Sequence, residues 1–163
     1  MAERKFQLRP ARPSEVEALS QLCLRSKAQH EYDAEFMELC REALTLTEQR
    51  LELHPTRVAV DPEGTLLGVA AYSVEARAHG VKIEVELLFV EPSAMGCGLG
   101  RALLGEMKSE LVSLGHSRLW ILSDPEAEAF YLKQGAVRIE LRPSDCIPDR
   151  LLPWLRLELC PPS

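Results

Sequence analysis

The stretch EVELLFVEPSAMGCGLGRALLGEMKSELVSL, residues 84–114, decides the fold of this chain. It begins as a β-strand, breaks at Pro92 into a glycine-rich turn and continues as a helix. Glycines at positions 96, 98 and 100 leave the backbone uncovered, so the N–H groups opening the helix can converge on an anion, aided by the helix dipole. The stretch therefore predicts either a phosphate cradle or an ordinary tight turn between strand and helix.

This glycine turn differs from the two best-known nucleotide-binding loops. The P-loop places Lys followed by Ser or Thr after its last glycine, where this chain has Arg101 and Ala102. The dinucleotide-binding fingerprint spaces its glycines differently. The pattern thus points to an anion site without naming the anion.

Length and composition limit the domain organisation of the chain and the classes of partner that it could bind. The chain has 163 residues, 46% apolar and 27% charged, which predicts a single globular domain over residues 1–163. A net charge of −6 disfavours nucleic acid as the partner. The apolar runs are too short to span a bilayer and the N-terminus resembles no secretion signal, so we expect no membrane partner and a cytoplasmic location.

Cysteine and histidine usage argues against structural metals and disulfides. The five cysteines are odd in number, scattered and without a Cys-x-x-Cys pair. The four histidines lack metal-ligand spacing. We therefore expect no metal ion and a reducing compartment.

The order of predicted elements indicates an α/β fold. Strands are predicted at residues 6–9, 57–60, 65–72, 81–90, 117–122, 137–141 and 155–159, and helices from Ser14, from Asp33, at 47–53, after the glycine turn and at 124–135. A long helix separates strands 81–90 and 117–122, so these two are expected to be parallel. The glycine turn follows the first of them, at the usual position of a ligand site in an open α/β sheet.

Two motifs, in order and at matching spacing, resemble the GNAT acyltransferase superfamily. Residues 90–100, with Val-x-Pro followed by Met95 and the glycines, resemble its cofactor motif Gln/Arg-x-x-Gly-x-Gly/Ala. Residues 124–136 resemble its later motif Asn-x-x-Ala-x-x-Phe-Tyr-x-Lys-x-Gly-Phe. The resemblance covers essentially the whole chain and implies the GNAT fold, a mixed twisted sheet of about six or seven strands flanked by helices.

The resemblance implies acetyl-coenzyme A as cosubstrate. Backbone amides of the glycine loop would bind its pyrophosphate, namely those of Gly96, Cys97, Gly98, Leu99 and Gly100. The strand before the loop diverges from its parallel neighbour in this family, so Leu88, Phe89 and Val90 would pair with the pantetheine arm. The Phe89 amide would also stabilise the oxyanion of the reacting thioester.

Three positions depart from the family motifs. Met95 stands where the motif has Gln or Arg, which removes a polar contact to the phosphates, and Arg101 partly compensates in charge. Asp124 replaces the motif's Asn near the pantetheine, and Ala136 replaces its final Phe. Cofactor binding is expected to survive these changes.

The family's chemistry is direct attack of an amine on the thioester in a ternary complex, and it assigns roles to particular residues. Tyr131 matches the tyrosine that protonates the departing thiolate, and a phenol with a pKa of about 10 suits that task. The attacking amine also needs a base, for which Glu86 and then Glu84 are the candidates, because residues two apart on a strand share a face. The same spacing is typical of a solvated strand face, so both interpretations remain open.

Cys97 at a helix N-terminus suggests an acyl-cysteine route, which we discount because the family motif leaves this position unspecified. Residues of the acceptor site are expected between the first two helices, at Ser26, His30 and Tyr32, although this segment is equally typical of a solvated loop. The resemblance implies acetylation of a primary amine on a small molecule. The alternative acceptor is a protein N-terminus or lysine. The alternative function is that of a non-catalytic acyl-coenzyme A sensor. The exposed C-terminal strands of this superfamily also suggest a homodimer.

Overall fold

A computed structural model describes residues 5–159 of the chain. Within these residues the elements are β1 (Gln7–Pro10), α1 (Val16–Ala28), α2 (Ala34–Arg41), α3 (Glu48–Leu53), β2 (Thr56–Val60), β3 (Leu66–Arg77), β4 (Gly80–Val90), α4 (Leu99–Ser113), β5 (Arg118–Leu122), α5 (Glu128–Lys133), β6 (Val137–Pro143) and β7 (Leu151–Glu158). Short 3-10 turns at Pro13–Glu15 and Pro92–Ala94 precede α1 and α4.

The strands form one mixed sheet in the order β1-β2-β3-β4-β5-β7-β6. Only β4 and β5 are parallel, and the remaining neighbours are antiparallel. The α/β class, the strand number and the parallel pair predicted from sequence are thereby confirmed. The insertion of β7 between β5 and β6 was not predicted.

Each face of the sheet packs against its own helices. On one face α4 contributes Leu103, Met107 and Leu111 to a cluster with Leu67 and Ile121. On the other face α1 and α2 contribute Leu19, Cys23 and Cys40 to a cluster with Val58 and Leu87. This division follows from the alternation of apolar side chains along the central strands.

A β-bulge lies in β4 where this strand begins to separate from β5. Tyr72 of β3 pairs with Val85, whereas Ala71 pairs with Leu87, so Glu86 is the extra residue on β4. Towards β5, β4 pairs only at Glu84, opposite Trp120. The carboxyl half of β4 therefore separates from β5 and opens a gap in the sheet.

Three predicted boundaries need correction. The strand expected at residues 65–72 continues to Arg77. The helix expected from residue 124 begins at Glu128, because the Asp124 carboxylate accepts the Glu126 N–H at 2.9 Å and holds the intervening residues in a turn. The last strand begins at Leu151 rather than at residue 155. Across residues 5–159, none of the helices has the length and apolar character needed to cross a membrane.

Candidate active site

A cavity of about 500 Å³ occupies the gap between β4 and β5. It is lined by the ends of both strands, the glycine turn, the last turn of α1 and the start of α5. Its lining includes Ser26, Lys27, Gln29, His30, Glu86, Leu88, Phe89, Val90, Met95, Gly96, Gly98, Leu99, Gly100, Arg101, Asp124 and Tyr131. The strands and the glycine turn that the sequence singled out thus meet at one site.

The glycine turn presents a row of free N–H groups to this cavity. Gly96 and Gly98 have φ values of +79° and +81°, in the left-handed region that favours glycine, and Gly98 caps α4. Within residues 5–159, the N–H groups of residues 96–101 have no backbone acceptor. A Cβ added at Gly96 or Gly98 would meet no atom within 4 Å, so the space above the turn is open. This arrangement fits a phosphate group at a helix N-terminus.

The third glycine, Gly100, allows α4 and α5 to pack closely. A Cβ at Gly100 would lie 3.4 Å from the Phe130 ring, so its absence lets α4 approach α5. Cys97 is exposed and its side chain does not line the cavity, which leaves only its backbone N–H for the predicted role. The Met95 sulfur lies 3.9 Å from Gln29 Nε2, which places a side-chain amide beside the turn.

The register of β4 corrects one predicted role. Glu91, just after β4, donates its N–H to the Leu67 carbonyl of β3 at 2.8 Å, and Phe89 lies directly opposite Val69 of β3. Because hydrogen-bonding directions alternate along an antiparallel pair, the Phe89 N–H points at β3 and not into the gap. Leu88 and Val90 direct their backbone groups towards the gap, so the Phe89 N–H is not placed to act as the expected oxyanion donor.

Tyr131 lies on α5 in the cavity wall and is only 6% exposed. Burial raises the pKa of Tyr131 above its usual value. Among residues 5–159 no group forms a hydrogen bond with the Tyr131 hydroxyl. A neutral phenol held in an apolar wall is suited to donating a proton to an anion formed inside the cavity.

The two candidate bases lie in different surroundings. Glu86 lines the cavity, and its nearest cation is Arg50, 3.9 Å away. Glu84 does not line the cavity and pairs with Lys82 at 3.2 Å, while burial raises its pKa. The bulge interrupts the alternation assumed from the sequence, so the spacing rule alone does not place these two side chains on one face.

The predicted acceptor residues gather around Asp124. Ser26 and His30 line the cavity, whereas Tyr32 lies outside the lining and donates its hydroxyl to Asp124, 3.0 Å from both carboxylate oxygens. The Asp124 carboxylate also accepts a hydrogen bond from the Lys27 ammonium. Burial opposes ionisation of Asp124, but these hydrogen bonds and that of the Glu126 N–H together hold its pKa below the usual range.

Comparison with known proteins identifies the family. The model of the acetyltransferase (GNAT) family matches residues 17–136. The chain belongs to the GNAT acetyltransferase family. GNAT enzymes use acetyl-coenzyme A and are acyl-coenzyme A-dependent N-acyltransferases, so this chain is an acyl-coenzyme A-dependent N-acyltransferase.

Solved GNAT structures share the whole fold at low identity. A GCN5-related N-acetyltransferase from Rhodopseudomonas palustris is 20% identical with a TM-score of 0.78, covering 98% of this chain and 99% of that one. The PaiA N-acetyltransferase of Thermoplasma acidophilum, in complex with coenzyme A, is 16% identical with a TM-score of 0.76, covering 94% and 99%. The ribosomal-protein-S18-alanine N-acetyltransferase of Escherichia coli is 17% identical with a TM-score of 0.67, covering 95% and 94%. No curated protein matches the sequence significantly.

Two cations of this GNAT site were missed as site residues. Lys27 and Arg150 both approach Asp124, although they lie 97 and 26 positions from it in the sequence. The only sequence signal was their position, since one follows Ser26 at the end of a predicted helix and the other lies in the proline-bearing loop before the last strand. Within residues 5–159, no group of three His, Cys, Asp or Glu side chains is placed to hold a metal ion.

Proposed function

We propose that this GNAT enzyme acetylates a primary amine of a small molecule by direct attack in a ternary complex. One observation carries the proposal: the cavity between β4 and β5 brings together free N–H groups, a carboxylate at Glu86 and a buried phenol at Tyr131. A cavity of about 500 Å³ is in the range of small-molecule sites.

The binding part of the proposal rests on backbone groups. The N–H groups of residues 96–101 would hold the pyrophosphate of coenzyme A, with the exposed Arg101 and the Gln29 amide beside them. Leu88 and Val90 would pair with the pantetheine arm, because their main-chain groups face the gap. The Leu88 N–H replaces that of Phe89 as the proposed donor to the thioester oxygen.

The catalytic part rests on two proton transfers. Glu86 would accept the proton of the incoming ammonium, directly or through water, since an ammonium has no lone pair for attack. Tyr131 would protonate the departing thiolate, and its raised pKa keeps the phenol neutral at physiological pH. The Cys97 thiol takes no part in catalysis, because this exposed side chain lies outside the cavity lining.

Calorimetry with coenzyme A, combined with thiol release from acetyl-coenzyme A over a panel of amines, tests this function. We expect binding, and thiol release that yields one acetylated small amine per thiol. Release only with peptides would favour a protein N-terminus or lysine as acceptor. Binding without release on any amine would favour the non-catalytic sensor and refute the enzyme mechanism.

Two further expectations accompany the proposed function. The strand β6 lies at the sheet edge with all seven residues exposed, which supports pairing in a homodimer. The homodimer and the cytoplasmic location stay predictions.

A further inference from the structure

A charged cluster that the proposed chemistry does not use adjoins the cavity, and two of its members, Lys27 and Asp124, line the cavity. The cluster, called the Asp124 network below, consists of Lys27, Tyr32, Asp124 and Arg150. Arg150 donates from Nη2 to the Tyr32 hydroxyl at 3.0 Å and lies 3.7 Å from the Asp124 carboxylate. It connects the end of α1, the loop after it, the end of β5 and the loop before β7.

The charges of the Asp124 network do not cancel. It contains two cations and one carboxylate, and among residues 5–159 Asp124 is the only acidic partner of Lys27 or Arg150. Their side chains are only 14% and 19% exposed, and that of Asp124 only 16%. An uncompensated charge in such a partly buried setting is unfavourable, and a bound anion would relieve it.

Aromatic rings hold both cations in place. Tyr32 and Phe36 stack with their centroids 4.0 Å apart. Lys27 Nζ lies 5.3 Å and the Arg150 guanidinium 5.2 Å from the Tyr32 ring centroid, and both cations also lie within cation–π distance of Phe36. The cationic pair is therefore preorganised before any ligand arrives, which lowers the entropic cost of binding an anion.

The same cavity carries the opposite charge elsewhere. Glu86 lines it, and the nearest cation to Glu86, Arg50, is 3.9 Å away. Lys27 and Asp124 line the cavity together with Glu86. One cavity thus contains an acidic position suited to an amine and, at Lys27, a cation suited to an anion, since the carboxylate partner of Lys27 is shared with Arg150.

We propose that the acceptor is an amine that also carries an anionic group, a carboxylate or a phosphate-type group, bound by Lys27, which stays available to it because Arg150 shares the Asp124 carboxylate. This inference rests on the proposed function, because it names the substrate class of the same site. The amine lies towards Glu86 and the anion towards the Asp124 network. Lys27 and Arg150 then determine specificity without taking part in proton transfer.

Matched pairs of amines test the inference by thiol release. Each amino acid is compared with its uncharged amide, and each aminoalkylphosphonate with the corresponding alkylamine. We expect kcat/KM to be higher for the anionic member by on the order of tenfold to a hundredfold, the usual range for charge-assisted hydrogen bonds. The carboxylate and phosphonate arms show which anion is preferred.

The variant Lys27→Met removes one cation and keeps a long side chain. We expect it to lower kcat/KM for the anionic amine to that of its uncharged counterpart, a loss confined to one charged contact. Lys108→Met on α4, outside the cavity lining, serves as the matched control and should retain the preference. If Lys27→Met does not fold, Arg150→Gln provides the second variant with the same expected outcome.

Equal use of anionic and uncharged amines by the wild-type protein would overturn the inference and leave the proposed function intact. So would an equal loss for both members of a pair in Lys27→Met. Coenzyme A binding without thiol release on any amine would overturn the proposed function and this inference with it.

Discussion

Replacing Gly98 with alanine separates ligand binding by the glycine turn from its contribution to folding. The residue has a φ of +81°, and a Cβ there meets no protein atom within 4 Å. The cost to the fold is therefore backbone strain alone, about 1 kcal/mol. For a chain of this size, that lowers Tm by about 2–4 °C.

Binding should suffer more than stability. The strain is relieved by rotating the adjoining peptides, which turns N–H groups of the cradle away from the cavity. Losing one charge-assisted hydrogen bond costs about 1.5–3 kcal/mol, so we expect coenzyme A affinity to fall at least about tenfold. Isothermal titration calorimetry with coenzyme A and thermal unfolding measure the two effects on the same sample.

Gly64→Ala is the matched control. Gly64 has a φ of +86°, also meets nothing within 4 Å, and lies in the turn between β2 and β3, outside the cavity lining. The control should show the same loss of Tm and unchanged coenzyme A affinity. Wild-type affinity in Gly98→Ala, or equal loss of affinity in both variants, would refute the cradle.

Three further predictions concern side chains of the cavity. Tyr131→Phe should lower kcat for thiol release by about a hundredfold or more while coenzyme A affinity and Tm stay unchanged, and undiminished kcat would exclude Tyr131 as the acid. Glu86→Gln should lower kcat by at least about tenfold and Glu84→Gln by less, because only Glu86 lines the cavity, and equal losses would contradict its assignment as base. Asp124→Asn should destabilise the fold by about 2 kcal/mol at pH 7, since Lys27 and Arg150 lose their carboxylate. The pKa of Asp124 is lower in the folded protein than its value near 3.8 in the unfolded chain, so its carboxylate stabilises the fold above that value. This stabilisation is lost as the pH falls further. The free energies of unfolding of the wild type and Asp124→Asn, measured in urea, should therefore converge below about pH 4.

The sequence predicted those features that short-range patterns determine. Residues 61–64 make a tight hairpin because Asp61 Oδ1 accepts the N–H groups of Glu63 and Thr65, at 3.0 and 2.8 Å. The alternate glycines predicted an open turn at the start of α4. The long helix between β4 and β5 predicted that these two strands are parallel. Each of these outcomes follows from neighbours a few residues apart or from a chain connection.

Features that depend on distant pairing were missed. The bulge at Glu86 arises from the register of β3 against β4, and the same register redirects the Phe89 N–H, which no strand pattern read alone reveals. The Asp124 network joins residues on four separate segments, and Arg150 reaches it from a loop without periodicity. The start of α5 was misplaced because Asp124 uses its carboxylate for a turn and for Lys27 rather than for a helix cap.

The most direct measurement of the central claim is a crystal structure of this GNAT enzyme with coenzyme A. The account predicts the pyrophosphate on the N–H groups of residues 96–101, the pantetheine against Leu88 and Val90, and the thiol within hydrogen-bond distance of the Tyr131 hydroxyl. Coenzyme A bound outside the gap between β4 and β5, or a thiol beyond the reach of Tyr131, would contradict it.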